Sequence, residues 1–139
     1  MRSIACLLLV ALLAPGCTPR KARLASQAAG PELRLTDSAL RCGISDTLRF
    51  GRLYEGESGV RRIRLQNASS QTIVLTHHEL SCQCVAPVYE RRPLRPDNSM
   101  PLEVRFDTRG ERGWQMKLLK LYTSESQQPI RLFIEAEVE

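Results

Sequence analysis

Aromatic side chains are scarce. They make up 5% of the 139 residues, with one tryptophan, three tyrosines and three phenylalanines, too few for a platform that stacks nucleic-acid bases. Histidine occurs twice, and neither copy sits in His-Glu-x-x-His. Gly-x-Ser-x-Gly, Ser-x-x-Lys and a Gly-rich phosphate loop are also missing, which removes the common signatures of metal hydrolysis, serine nucleophiles and nucleotide binding. No apolar run approaches the roughly 20 residues that a membrane-crossing helix needs. What remains is an ordinary globular balance, 42% hydrophobic and 25% charged, in a chain the size of one domain. Neither catalysis nor a cofactor is expected.

Residues 1–16 stand apart. Arg2 is a short positive start, and Ile4 to Ala14 is an unbroken apolar stretch of 11 residues, the length of a secretory h-region. Ala14-Pro15-Gly16 then precedes Cys17, and this tripeptide with its cysteine resembles a bacterial lipobox. The resemblance implies cleavage before Cys17, lipidation of that cysteine and attachment to a membrane through the lipid. The acidic run that directs such lipoproteins to the cell surface does not follow, which favours a periplasm-facing position on the outer membrane.

The charge is unevenly placed. The whole chain carries +5, and removing residues 1–16 takes away Arg2 and no acid, leaving +4. Arg20, Lys21, Arg23 and Arg34 against Glu32 supply +3 of this within residues 18–35. A basic surplus beside a lipid anchor suits anionic head groups; a nucleic-acid partner is not expected. This segment lacks a sustained period and is rich in Ala, Pro and Gly, so residues 17–44 read as a tether.

From residue 45 to 139 the pattern becomes strand-like. Leu48 and Phe50 alternate with polar residues up to Gly51, and Val60, Ile63 and Leu65 lie among arginines. Thr72-Ile73-Val74 is β-branched. Met100, Leu102, Val104 and Phe106 repeat at period two, as do Leu132, Ile134, Ala136 and Val138, each the signature of a half-buried strand. Polar turn segments separate these runs, and the prolines fall in gaps or on strand edges. About seven short strands without a convincing helix predict an all-β fold, a single antiparallel β-sandwich. The last strand reaches the final residues, so no second domain is expected after it.

These segments also resemble a known pattern. Phe50-Gly51 with Gly56, then Ile63 to Asn67, then Ser81-Cys82-Gln83-Cys84-Val85, and finally Leu94, Pro96, Ser99, Leu102, Val104, Phe106-Asp107-Thr108, Gly110 and Gly113 are similar to the motifs of a bacterial Ig-like domain family. That family is related to the ASH, PapD and major-sperm-protein sandwiches, is catalogued as a domain of unknown function, and is common on Bacteroidetes-type exported lipoproteins. Gln83 stands where the family has glycine, Val85 where it has threonine, and Asp97-Asn98 where it has a turn glycine. The resemblance implies an Ig-like sandwich and supplies no activity.

Three groups of residues can carry chemistry or contacts. Besides Cys17, the cysteines Cys42, Cys82 and Cys84 are an odd number for an oxidising compartment. Cys42 can pair with one of the others, or Cys82 with Cys84, or the thiols can stay free. In an extended segment Cys82 and Cys84 lie about 7 Å apart at Cα, at the limit for a bridge. A soft-metal alternative, copper or zinc, would use Cys82 and Cys84 with His77 or His78. The two histidines are adjacent, so on a strand only one can face the thiols. Nothing local would lower a thiol pKa, so redox catalysis is not expected. Arg109, Arg112 and Trp114 form a candidate interaction loop, since tryptophan and arginine are enriched in binding hot spots.

Together these features predict an outer-membrane lipoprotein, periplasm-facing, whose sandwich makes protein–protein contacts as an accessory subunit of a cell-envelope complex. Its partners would be envelope or outer-membrane proteins.

Overall fold

The computed structural model describes residues 30–139; the leader, Cys17 and most of the basic segment lie outside them. Nine elements follow one another: β1 (Glu32–Thr36), α1 (Asp37–Cys42), β2 (Ile44–Leu53), β3 (Ser58–Ala68), β4 (Leu75–Leu80), β5 (Val85–Tyr89), β6 (Ser99–Asp107), β7 (Gly113–Thr123) and β8 (Ile130–Val138). The strands form two four-stranded sheets, ordered β1-β3-β6-β5 and β2-β8-β7-β4. They pack as a sandwich, which is the all-β fold expected.

Alternation builds the core. Met100, Leu102, Val104 and Phe106 of β6 are at most 1% exposed, because successive side chains of a strand point to opposite faces. Leu132, Ile134, Ala136 and Val138 of β8 and Leu119 and Leu121 of β7 meet them from the other sheet. Phe50 and Phe106 cross edge to face at 6.0 Å between centroids, an arrangement that aromatic quadrupoles favour.

Two details depart from the sequence reading. The pairing is not wholly antiparallel: β1 runs parallel to β3, and β2 runs parallel to β8. The folded part also starts earlier than residue 45. Leu33 and Leu35 of β1 and Leu40 of α1 are buried in the core, so residues 32–44 belong to the sandwich. Thr36 caps α1 by accepting the Ala39 N–H at 3.1 Å, and Gly43 ends the helix with φ of 81° and ψ of 166°, a region essentially confined to glycine.

The β2–β8 ladder slips between Arg49 and Gly51. Gly51 has φ of 78°, a conformation that costs a residue with Cβ strain. Arg61 of β3 crosses to this bulge: its Nε donates to the Arg49 carbonyl at 2.9 Å and its Nη2 to the Phe50 carbonyl at 2.8 Å. The bulge carbonyls are satisfied by a side chain of the opposite sheet, which holds the edges of the two sheets together and shapes the surface beside β8.

Candidate functional site

The two outer faces of the sandwich differ in chemistry. On the β1-β3-β6-β5 sheet, Arg62 and Arg105 both pair with Glu103 at 2.7 Å, and Arg64 pairs with Glu32 at 3.0 Å. This face is charged, with arginines outnumbering the glutamates they pair with, and its exposed apolar side chains are Val60 and Val88. The Glu103 carboxyl is held below its ordinary pKa, first by its hydrogen bond from Arg105 and then by Arg62.

The β2-β8-β7-β4 sheet presents apolar and aromatic groups instead. Trp114 is 57% exposed and Met116 is 49% exposed. Leu118 follows them at the same period along β7, and the ladder sets it opposite Phe133 of β8. Tyr122 continues the row and stacks on His77 of β4 at 4.3 Å between centroids. Charges rim the row: Arg49 reaches Glu135 at 3.7 Å, and Lys120 donates to Glu79 at 3.2 Å. The Lys120 hydrogen bond, and after it one from Tyr122, lowers the Glu79 pKa. Burial, followed by that same contact with Glu79, raises the Tyr122 pKa.

A cleft of about 220 Å³ opens beside Trp114, lined by Arg49, Arg52, Glu135 and Glu137 with the Gly51 bulge as part of its wall. Among the described residues nothing lies within 4 Å of where a Cβ of residue 51 would stand. An exposed indole beside two guanidinium groups is the combination that dominates binding hot spots.

The sequence-derived loop is only partly assembled here. Arg109 is held by Asp107, with Nε 2.9 Å from Oδ2, and its own N–H donates to Asp107 Oδ1 at 3.1 Å. That pairing lowers the Asp107 pKa and raises that of Arg109. Arg112 lies 3.9 Å from Glu55. Trp114 is indeed on the surface, but the arginines lining its cleft are Arg49 and Arg52. Their only sequence signal is their alternation with Leu48, Phe50 and Leu53; their neighbourhood with Trp114 depends on the β2–β8 and β7–β8 pairings.

Cys82 and Cys84 form a disulfide, with Cα atoms 5.3 Å apart, and Cys42 is exposed and unbridged among the described residues. The bridge occupies the turn that carries the chain from β4 to β5. Both cysteines are half-buried against the core, while Ser81 and Gln83 are exposed. Gln83 keeps a negative φ, so glycine is not required there. As a staple the bridge is weak: chain entropy gives about 1.6 kcal/mol for a loop of about three residues, against about 4.7 for one of about 100.

The histidines go separate ways. His77 stacks on Tyr122 on the outer face, while His78 Nδ1 lies 3.0 Å from the Tyr89 hydroxyl of β5. Among the described residues no group of three His, Cys, Asp or Glu side chains is arranged to hold a metal ion. Ligation by Cys82 and Cys84 would first require their bridge to be reduced. Cys17 lies outside the described residues.

Residues 44–138 match the family described as Protein of unknown function (DUF1573). Strand β1 and helix α1 precede that segment. Among solved structures the chain is similar to a protein of unknown function from Porphyromonas gingivalis W83, at 18% identity and a TM-score of 0.59, covering 67% of this chain and 44% of that one. It is also similar to the VesB protease of Vibrio cholerae, at 13% identity and a TM-score of 0.53, covering 68% of this chain and 30% of that one. The secreted serine protease VesC of the same organism matches at 13% identity and a TM-score of 0.51, with 65% and 21% covered. In all three cases the chain spans less than half of the solved protein, and the likeness is one of fold. No curated protein matches the sequence.

Proposed function

The chain belongs to the DUF1573 family of proteins of unknown function, and we propose that it is a lipoprotein held through Cys17 at the periplasmic side of the outer membrane, where a non-catalytic, Ig-like sandwich binds another envelope protein. The observation that carries this reading is the contrast between the two faces. One is dominated by arginine–glutamate pairs, with Val60 and Val88 as its exposed apolar side chains. The other exposes Trp114 and Met116 beside a cleft with two arginines.

Contiguous apolar area rimmed by polar groups marks an interaction site more often than a bare surface. A lipid anchor strengthens such contact by confining both partners to one membrane. The basic residues Arg20, Lys21 and Arg23 lie within six residues of Cys17, where anionic head groups would meet them. The role that fits is an accessory subunit of an envelope complex.

Co-isolation from detergent-solubilised envelopes tests the reading. Wild-type protein is expected to bring down one stoichiometric partner, and Trp114→Ala is expected to lose it, since truncating a hot-spot tryptophan typically costs about 2 kcal/mol or more. Equal recovery with the variant, or repeated isolation of the protein alone, would overturn it.

A further inference from the structure

Trp114 and Glu137 stand directly opposite each other in the β7–β8 ladder, and both are exposed on the outer face. Opposite residues of an antiparallel pair carry their Cβ atoms about 5 Å apart, so carboxylate and indole are neighbours on one surface. Both line the same cleft of about 220 Å³. On its other side Glu137 faces Arg52 of β2, yet Arg52 reaches Glu139 instead, at 3.5 Å. Arg49 is taken by Glu135 at 3.7 Å. Among the described residues Glu137 has no ion-pair partner.

The charges around the indole do not cancel. Arg49 and Arg52 give +2, while Glu135, Glu137 and Glu139 give −3, which leaves −1. The arginines of the neighbouring turn are taken as well, Arg109 by Asp107 and Arg112 by Glu55. This negative surplus is local, because the chain as a whole is basic at +5. An indole face attracts a cation through its quadrupole, and a carboxylate beside it adds to that attraction. Gly51 brings no side chain to the cleft wall, which leaves the approach open.

We infer that Trp114 and Glu137 form a recognition site for a basic side chain, a lysine or arginine of the partner protein, a site that rests on the reading of this face as a binding surface and adds the charge of what it binds. The cationic head lies over the indole and pairs with Glu137, while the aliphatic stem runs along Met116, two residues further on the same face. A guanidinium meets both requirements best, since it stacks on aromatic faces and pairs with a carboxylate through two N–H groups. An acidic segment would meet the surplus carboxylate and be repelled.

Trp114 is the single tryptophan, so its fluorescence reports this site alone. The probes are capped tetraarginine and tetraglutamate peptides, titrated at low salt into the full chain in neutral detergent. The overall charge of +5 favours tetraglutamate, so a general electrostatic contact gives the opposite ranking from a cation site. Tetraarginine is expected to change the Trp114 emission at about tenfold lower concentration than tetraglutamate. Glu137→Gln is expected to weaken tetraarginine about threefold. Glu125→Gln removes an equal charge from the exposed loop between β7 and β8 and is expected to leave it unchanged. An equal response to the two peptides, a preference for tetraglutamate, or an equal loss from both substitutions would overturn the site. Capture of the partner from envelopes separates the two readings of this face. A partner retained in full by Glu137→Lys leaves the binding face standing and removes the cation site, whereas cation-selective emission with no partner captured does the reverse.

Discussion

The Asn67 side chain lies inside the sandwich with no exposure, and its Nδ2 donates to the Leu94 carbonyl at 2.8 Å. The same amide donates to Gln71 at 2.7 Å, while its oxygen accepts from the N–H of Ser69 at 3.0 Å and from its Oγ. Four groups of the β3–β4 connection and of the loop before β6 are therefore satisfied by one side chain. Asn67→Ala is expected to cost about 3 kcal/mol, because it leaves the buried Ser69 N–H without its acceptor. It also takes one bond each from the Leu94 and Gln71 carbonyls, which keep Ile73 and Ser69 as partners. Thermal unfolding checks this; a Tm loss of only a degree or two would show that water replaces the amide.

Thr123 is the reverse case. Its hydroxyl is buried and has no hydrogen-bond partner among the described residues. Thr123→Val keeps the shape and removes the unpaired oxygen, so it is expected to stabilise the protein by about 1 kcal/mol. Urea titration reads this directly, and a lower midpoint would mean that the hydroxyl is satisfied.

Acid should weaken the fold in a defined window. Glu79 and Glu103 are lowered from 4.5, and Asp37 and Asp107 from 3.8. Their contribution is complete above these unfolded values and disappears as pH falls through the lower folded ones. Stability is thus expected to decline below about pH 4.5. Glu103→Gln removes the central acid of the Arg62–Glu103–Arg105 group and is expected to make the acid limb shallower. Melting curves from pH 3 to pH 7 measure it; an unchanged slope would assign the acid limb to other groups.

The cysteines give a fourth expectation. Exposed Cys42 should react with iodoacetamide in the folded protein, whereas Cys82 and Cys84 should not react until reduced. Replacing both bridged cysteines with serine is expected to cost no more than about 2 kcal/mol, given the short loop. A loss large enough to unfold the chain would mark the bridge as structural.

Much of the fold was legible in the sequence where burial alone dictates it. β6 and β8 show period-two runs of apolar residues because one face of each meets the core. β1 escaped because two leucines in five residues, Glu32–Thr36, form too short an alternation to separate from a tether; pairing with β3 supplies the remaining order. Asn67 has the sequence signature of a turn residue, an asparagine at the end of a strand-like run, and only the tertiary contacts reveal it as a buried polar link. Asp97 adopts φ of 62°, which explains how a non-glycine residue occupies a position where the resembled pattern has glycine.

The candidate site was legible in one residue. Trp114 stood out by rarity and proved exposed, but Arg109 and Arg112 share only its stretch of chain. Arg49 and Arg52 join it through a parallel pairing between β2 and β8, some 86 residues apart at Ile44 and Ile130, and no local pattern encodes that neighbourhood. The Cys82–Cys84 pairing was open for a similar reason: strand spacing sets the cysteines at the limit of a bridge, and the turn brings them within it.

Site-specific photo-crosslinking in intact cells tests the binding face most directly. A photoreactive phenylalanine analogue placed at Trp114 probes one outer face, and the same group at Val60 probes the other. Position 114 is expected to yield one membrane-associated adduct of defined mass, with none at position 60. Adducts at both positions alike, or at neither, would contradict a dedicated partner for the Trp114 face.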